Sequence, residues 1–284
     1  MHDILALSYT ALRQKFSMGT LTVQQVIEAY LAQATRTQRL NAYLLLCEEA
    51  ARAKAKEADE RFKNGTARPL EGFPLAVKDT FCTAGIRTTA SSKILHNFIP
   101  PYTATVVERL EMAGAIVLGK TNLDEFAMGS STVTSYFGSS INPWKATDSQ
   151  DDLSPGGSSG GSSASVAAGS SLGALGSDTG GSIRQPAALC GIVGIKPTYG
   201  LCSRYGIVAF ASSLDQAGPM AKTVEDTALL LQTMVGHDAK DSTSLIYEAP
   251  DYTKVLGQSV RGMKVGIPKE YRPEGLNQEI ACWW

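Results

Sequence analysis

Residues Thr105 to Thr121, TVVERLEMAGAIVLGKT, hold a helix and a strand back to back. Thr105 and Glu108 stand three apart at the head of an apolar helical pattern, as in a capping box, and Gly114 is a stop signal. Ala115-Ile-Val-Leu118 follows directly and reads as a buried strand. The same alternation recurs outward from this unit. Thr22-Val-Gln-Gln25 is a capping box that opens an amphipathic helix with apolar positions at Val23, Val26, Ile27, Tyr30, Leu31 and Ala34. A second helix runs from about Glu48 to Lys63, with Glu57 and Arg61 as an i,i+4 pair and a stop at Asn64-Gly65. Strands are expected at Phe73–Lys78, Ile192–Ile195 and Met263–Ile267, and a helix from Thr223 to Val235 that stops at Gly236. Helices alternating with short apolar strands predict an α/β layered domain with a parallel or mixed central sheet.

Composition narrows the function. The 284 residues carry 26 Lys+Arg against 27 Asp+Glu, a net charge of -1, which gives no electrostatic basis for gripping RNA or an anionic membrane. No apolar run approaches the roughly 18 residues of a membrane span, and the N-terminus lacks a signal-peptide pattern, so a cytoplasmic location is expected. Five cysteines without a C-x-x-C pair indicate neither a disulfide framework nor a zinc site. With three histidines, His-based catalysis is hard to assemble.

Two short patterns match motifs whose context is wrong. Gly114 to Thr121 satisfies G-x-x-x-x-G-K-[ST], but its four central residues are the strand itself rather than a phosphate-cradling turn. Gly156-Gly-Ser158-Ser-Gly160 satisfies G-x-S-x-G, but a polar loop precedes it, and the only later histidine is His237.

A serine can instead be activated by a lysine, provided burial lowers the ammonium pKa from about 10.4 towards neutrality. Lys78 closes the apolar run Pro74-Leu-Ala-Val77 and is the candidate base; the competing reading is a surface lysine paired with Asp79. In Gly176-Ser-Asp-Thr-Gly-Gly-Ser-Ile-Arg184, two glycines before Ser182 let successive amides converge on an anion. Ser182 is then the candidate nucleophile, with the amides of Thr179, Gly180, Gly181 and Ser182 as oxyanion donors. Its alternative role is a helix cap. Asp178 and Arg184 bracket the turn as a supporting ion pair. Between Ser154 and Ser182 nine glycines interleave with ten serines, which reads as closely packed backbone rather than a linker. Serines of Pro155–Gly161, among them Ser158 and Ser159, could relay a proton from Ser182 to Lys78.

AVKD (Ala76 to Asp79), GGSSGGS (Gly156 to Ser162) and GSDTGGSIRQPA (Gly176 to Ala187), in this order, resemble the amidase signature family. The resemblance implies an α/β/α layered fold with a central mixed sheet, and a Ser–cis-Ser–Lys set on Ser182, Ser158 and Lys78, with a cis bond between Gly157 and Ser158. Ser159, Asp178 and Arg184 become structural support. LGKTNLDEFAMGSS (Leu118 to Ser131) and SRYGIVAFASSLDQAGP (Ser203 to Pro219) are most similar to the branch found in tRNA-dependent glutamyl/aspartyl amidotransferases. That branch implies glutamine as ammonia donor and subunits B and C as partners. It implies tRNA contacted mainly through a partner, ATP and Mg2+ at the partner subunit, no cofactor or metal in this chain, and a cytoplasmic or organelle-matrix setting. Two other roles stay open: a stand-alone amidase on another small amide, or a non-catalytic assembly subunit. Residues 1–65 are expected to form a helical segment packed on a core of residues 66–284. The family domain extends past residue 284, so the fold is expected to be incomplete at the C-terminus, with the groups that grip the donor's α-amino and α-carboxylate ends lying beyond it.

Overall fold

The computed structural model describes residues 2–282, which divide into a unit ending at Thr253 and a unit starting at Lys254. In the first unit the elements are α1 (His2–Leu5), α2 (Tyr9–Ser17), α3 (Val23–Arg36), β1 (Tyr43–Leu46), α4 (Glu48–Lys63), β2 (Pro74–Lys78) and α5 (Thr105–Met112). They continue with β3 (Ile116–Thr121), α6 (Gly160–Ala167), β4 (Gly173–Asp178), α7 (Arg184–Cys190), β5 (Val193–Gly194), β6 (Gln216–Ala221) and α8 (Val224–Met234).

Six strands form one mixed sheet in the order β1-β3-β2-β4-β6-β5. β2 runs parallel to both β3 and β4, whereas β1, β5 and β6 are antiparallel to their neighbours. Alternation along the strands sorts side chains into two cores. Leu75, Val77, Leu175 and Ala217 pack with Tyr9, Val26, Ile27, Ala55, Val106 and Leu230 from the helices α2, α3, α4, α5 and α8. Ala76, Ala174 and Met220 pack with Val166, Ile183 and Ala187 on the side of α6 and α7. The result is a three-layer α/β/α sandwich, as the family resemblance implies.

The second face is lined by small residues, so α6 sits very close to the sheet and its connections. A Cβ on Gly161 would lie 2.5 Å from the main chain of Asn122 and 2.6 Å from Ala42 O. The Gly/Ser-rich segment is thus packed backbone, with residues 155–166 buried throughout.

Some local expectations hold and others need adjustment. Thr22 makes its capping box with Gln25. Thr105 does not cap: the N-cap is Ala104, and Thr105 Oγ1 donates to Asp238 at 2.6 Å, a long-range partner that outcompetes the local one. On α4 the surface pairs include Arg52–Glu48, Lys54–Glu57 and Lys63–Glu60, while Arg61 faces Glu71 at 3.9 Å instead of Glu57. Among the first 65 residues, α2 to α4 share the larger core with the strands, and β1 belongs to the sheet.

The second unit contains α9 (Gln278–Cys282). Met263–Ile267 is not a strand: each of its residues is exposed, Val265 by 84%. An apolar run becomes a strand only when another strand takes up its N–H and C=O groups, and among the described residues none does.

Phe73 is fully buried and packs against Tyr9 with ring centroids 5.1 Å apart and planes tilted by 52°. Phe73→Ala is expected to cost about 3–5 kcal/mol in urea unfolding, and Thr22→Ala about 1 kcal/mol. Equal losses would show that the sheet core does not dominate stability.

Candidate active site

Lys78 ends β2 with its side chain wholly inaccessible to solvent. Its Nζ lies 2.8 Å from Ser158 Oγ, 2.9 Å from Ser159 Oγ and 2.8 Å from Ser177 Oγ. Ser177 reaches the amine because β2 and β4 pair in parallel with Val77 opposite Leu175, which carries the ends of both strands to the same edge. Ser158 and Ser159 come from the turn entering α6, where the Gly157–Ser158 bond is cis, as the resemblance implies. The surface reading of Lys78 is overturned. Asp79 faces Lys120 at 3.5 Å instead and accepts from Thr89 N at 2.8 Å.

Burial pushes the Lys78 ammonium down to about 7, against the carboxylates of Asp124, Asp178 and Asp215, which favour the charged form. The three hydroxyls satisfy its donors without supplying a countercharge. Once neutral, the amine has a lone pair, and a hydroxyl that accepted from it can donate to it.

Ser182 lies on the turn between β4 and α7 and is 9% exposed, at the rim of this interior. Ser159 N donates to Ser182 O at 3.1 Å, which ties the two serine turns together through the main chain. Among the described residues, no hydrogen bond joins the hydroxyls of Ser182 and Ser158. Ser182 does not cap α7, whose N-cap is Ile183.

Asp178 governs the turn. Its carboxylate accepts from the amides of Gly181 at 2.7 Å and Ile183 at 3.1 Å, and pairs with the Arg184 guanidinium at 3.0 Å. Burial raises its pKa, but Arg184 and these amides outweigh that and hold the carboxyl below its ordinary value. The expected ion pair is therefore present. It also corrects the oxyanion set: the Gly181 amide is already engaged by Asp178, and Gly181 has φ of 124°, a conformation suited to glycine. Among the described residues, the amides of Thr179, Gly180 and Ser182 have no protein acceptor, and Gly180 is exposed.

Three participants carry no signal in the sequence by itself. Ser177 is hidden because only strand pairing reveals it. Asp215, which accepts from Thr179 Oγ1 and from Phe210 N at 2.9 Å, fixes the outer side of the turn. Asp124, in sequence a residue of turn type, is fully buried against Gly157. Among the described residues, no group of three or more His, Cys, Asp or Glu side chains could hold a metal ion, and all five cysteines are unpaired. No helix there is long and apolar enough to cross a membrane.

A buried lysine bonded to serine hydroxyls, close to a serine on a glycine turn, has the chemistry to activate a hydroxyl without histidine. The chain belongs to the amidase family, whose model, described as Amidase, matches residues 25–282. It is 57% identical over its whole length to the A subunit of glutamyl-tRNA(Gln) amidotransferase from Rhodopseudomonas palustris, and 59% identical over 263 residues to that of Caulobacter vibrioides. The chain spans 58% and 54% of the lengths of these relatives. Among solved structures, the A subunit of the Thermotoga maritima glutamyl-tRNA(Gln) amidotransferase matches 86% of the chain and 50% of its own, at 42% identity and a TM-score of 0.71. The peptide amidase of Stenotrophomonas maltophilia matches 88% of the chain and 52% of its own, at 37% identity and a TM-score of 0.80. The fold is that of the amidase signature proteins.

The displaced pKa of Lys78 has a thermodynamic signature. Between its folded value of about 7 and the ordinary lysine value of 10.5, the unfolded chain binds one proton more than the folded one. Stability must therefore rise with pH in that window, and below it the full burial penalty remains. The variant Lys78→Met removes this term. Relative to it, the unfolding free energy of the parent chain is expected to climb by about 1.4 kcal/mol per pH unit between about pH 8 and 10. Parallel stability profiles of the two proteins would mean that Lys78 titrates normally.

Proposed function

We propose that the chain carries the glutaminase site of a tRNA-dependent amidotransferase, with Ser182 as nucleophile, Ser158 as bridging serine and Lys78 as general base. The observation that carries this reading is the 2.8 Å contact of a buried, near-neutral Lys78 amine with Ser158 Oγ, beside the turn that presents Ser182. The identity with amidotransferase A subunits supports glutamine as the amide donor over other small amides.

In this mechanism neutral Lys78 takes a proton from Ser158 as Ser158 takes one from Ser182, and Ser182 Oγ attacks the carboxamide carbon of glutamine. The tetrahedral oxyanion is met by the amides of Thr179, Gly180 and Ser182. The proton returns along the same path to the leaving nitrogen, the C–N bond breaks, and ammonia departs from a glutamyl ester on Ser182. Water, deprotonated by the same relay, hydrolyses the ester to glutamate and restores the serine. Asp178 and Arg184 hold the turn, and Ser159 and Ser177 orient the amine. The ammonia passes to a mischarged Glu-tRNA(Gln) or Asp-tRNA(Asn) activated with ATP and Mg2+ at the partner, within a cytoplasmic complex that this chain forms with subunits B and C. A near-neutral surface suits a protein that leaves tRNA to its partner.

Glutamine hydrolysis with and without the partner subunits, together with hydroxylamine capture of the glutamyl ester, tests this reading. Ser182→Ala is expected to abolish the trapped hydroxamate, and an adduct still formed by that variant would refute the nucleophile. Lys78→Ala and Lys78→Arg are both expected to lose about 10²–10⁴-fold, since a guanidinium cannot accept the proton at neutral pH. Full activity in either would exclude Lys78 as base. The acylation rate of the parent protein is expected to fall as pH drops below about 7, where Lys78 becomes protonated. A flat profile from pH 5 to about 9 would contradict that role.

A further inference from the structure

Residues 156–158, which deliver Ser158 to Lys78, are gripped from outside the serine cluster. Thr132 Oγ1 donates to Gly156 O at 2.8 Å, Gly157 N donates to Gln185 Oε1 at 2.9 Å, and Asp124 N donates to Ser158 O at 3.3 Å. Two of these three grips depend on Asp124. Its carboxylate accepts from Ser131 N at 3.2 Å and Thr132 N at 2.8 Å on one oxygen, and from Val133 N at 3.2 Å and Thr134 Oγ1 at 3.1 Å on the other. These bonds fold the loop back so that Thr132 reaches Gly156. A Cβ at Gly157 would collide with the same carboxylate and lie 2.6 Å from Ser131 N, so the loop and the serine turn are in direct contact.

The electrostatic setting adds a second role. Lys78 is faced by Asp124 from the segment after β3, by Asp178 from the end of β4 and by Asp215 from the segment before β6. Asp178 is matched by Arg184 of α7, Asp215 is drawn to Thr179 and to the amides of Phe210 and Ala211, and Asp79 on the Lys78 segment is turned to Lys120. Among the described residues, Asp124, like Asp215, is held by amides and a hydroxyl and not by a cation. Its charge is the largest opposing influence on the Lys78 amine.

We infer that Asp124 is a positioning residue for the nucleophile system, fixing the Gly156–Ser158 turn and directing a buried negative charge at Lys78. It touches no reacting atom. It acts through the serine turn, which sets the Ser158 hydroxyl against the amine, and through the field that sets how readily the amine holds a proton. The inference rests on the proposed roles of Ser182, Ser158 and Lys78.

The test is the rate at which a fluorophosphonate labels Ser182, followed by intact mass across pH. The parent chain is expected to label with a midpoint near 7. Asp124→Asn is expected to shift that midpoint down by about one pH unit, because an opposing charge is lost, and to lower the plateau rate by roughly tenfold or more. A loop with only a scaffolding role would lower the rate and leave the midpoint in place, and that result would overturn the inference. Thr132→Val cuts the link to Gly156 without changing charge, so its rate should drop several-fold at an unmoved midpoint. If Asp124→Asn does not fold, an undiminished rate in Thr132→Val overturns the inference. A parent chain that never labels at Ser182 removes the proposed function and this inference with it, whereas a labelled parent with coincident profiles for Asp124→Asn removes the inference alone.

Discussion

An amine that cannot reach water is the constraint around which the site is arranged. Lys78 is wholly buried, and its donors end on Ser158, Ser159 and Ser177 rather than on a carboxylate. A carboxylate in contact would favour the charged form, whereas hydroxyls fix the direction of the amine without supplying a countercharge. Such a cluster is costly unless each polar group has a partner, and the serine turns supply them with Ser159 Oγ donating to Ser177 O at 3.1 Å. Contrast Lys120, one strand away, which is equally buried but sits 3.5 Å from Asp79 and donates to Phe81 O. One buried lysine knits loops to the sheet, and the other is left free of a directly bonded acid.

The glycines make this arrangement possible by removing distance. The face of the sheet that carries α6 and α7 is built from Ala76, Ala174 and Met220, with glycines wherever a turn must pass against other backbone. Helix α6 can then start within reach of β2 and β4, so that one turn places Ser158 and Ser159 on Lys78. The larger aliphatic and aromatic side chains lie on the other face, where α2 to α5 and α8 supply the bulk of the core. The two faces divide the work: one gives stability, and the other gives close approach.

How much of this can be read from the sequence depends on whether the signal is local. Lys78 at the end of an apolar run, the Thr22 capping box and the dense Gly/Ser segment are local patterns, and the structure has them where the sequence places them. Ser177 is not local: it meets Lys78 across a parallel pairing 99 residues away in the chain. Paired glycines free the backbone and so point to the Gly181 amide as an oxyanion donor, but the Asp178 carboxylate is three residues away and takes that amide first. Thr105 shows the same competition, losing its cap to Asp238. Met263–Ile267 fails for a different reason, since five apolar-leaning residues look alike whether or not a neighbouring strand exists.

The most direct measurement of the central claim is the titration of the Lys78 Nζ itself, by ¹⁵N NMR of lysine-labelled protein with Lys78→Met as the subtraction control. A resonance that titrates with a midpoint near 7 is the expected result. One that stays protonated until about pH 10 would mean the amine is an ordinary ammonium, and the account of the site would be wrong.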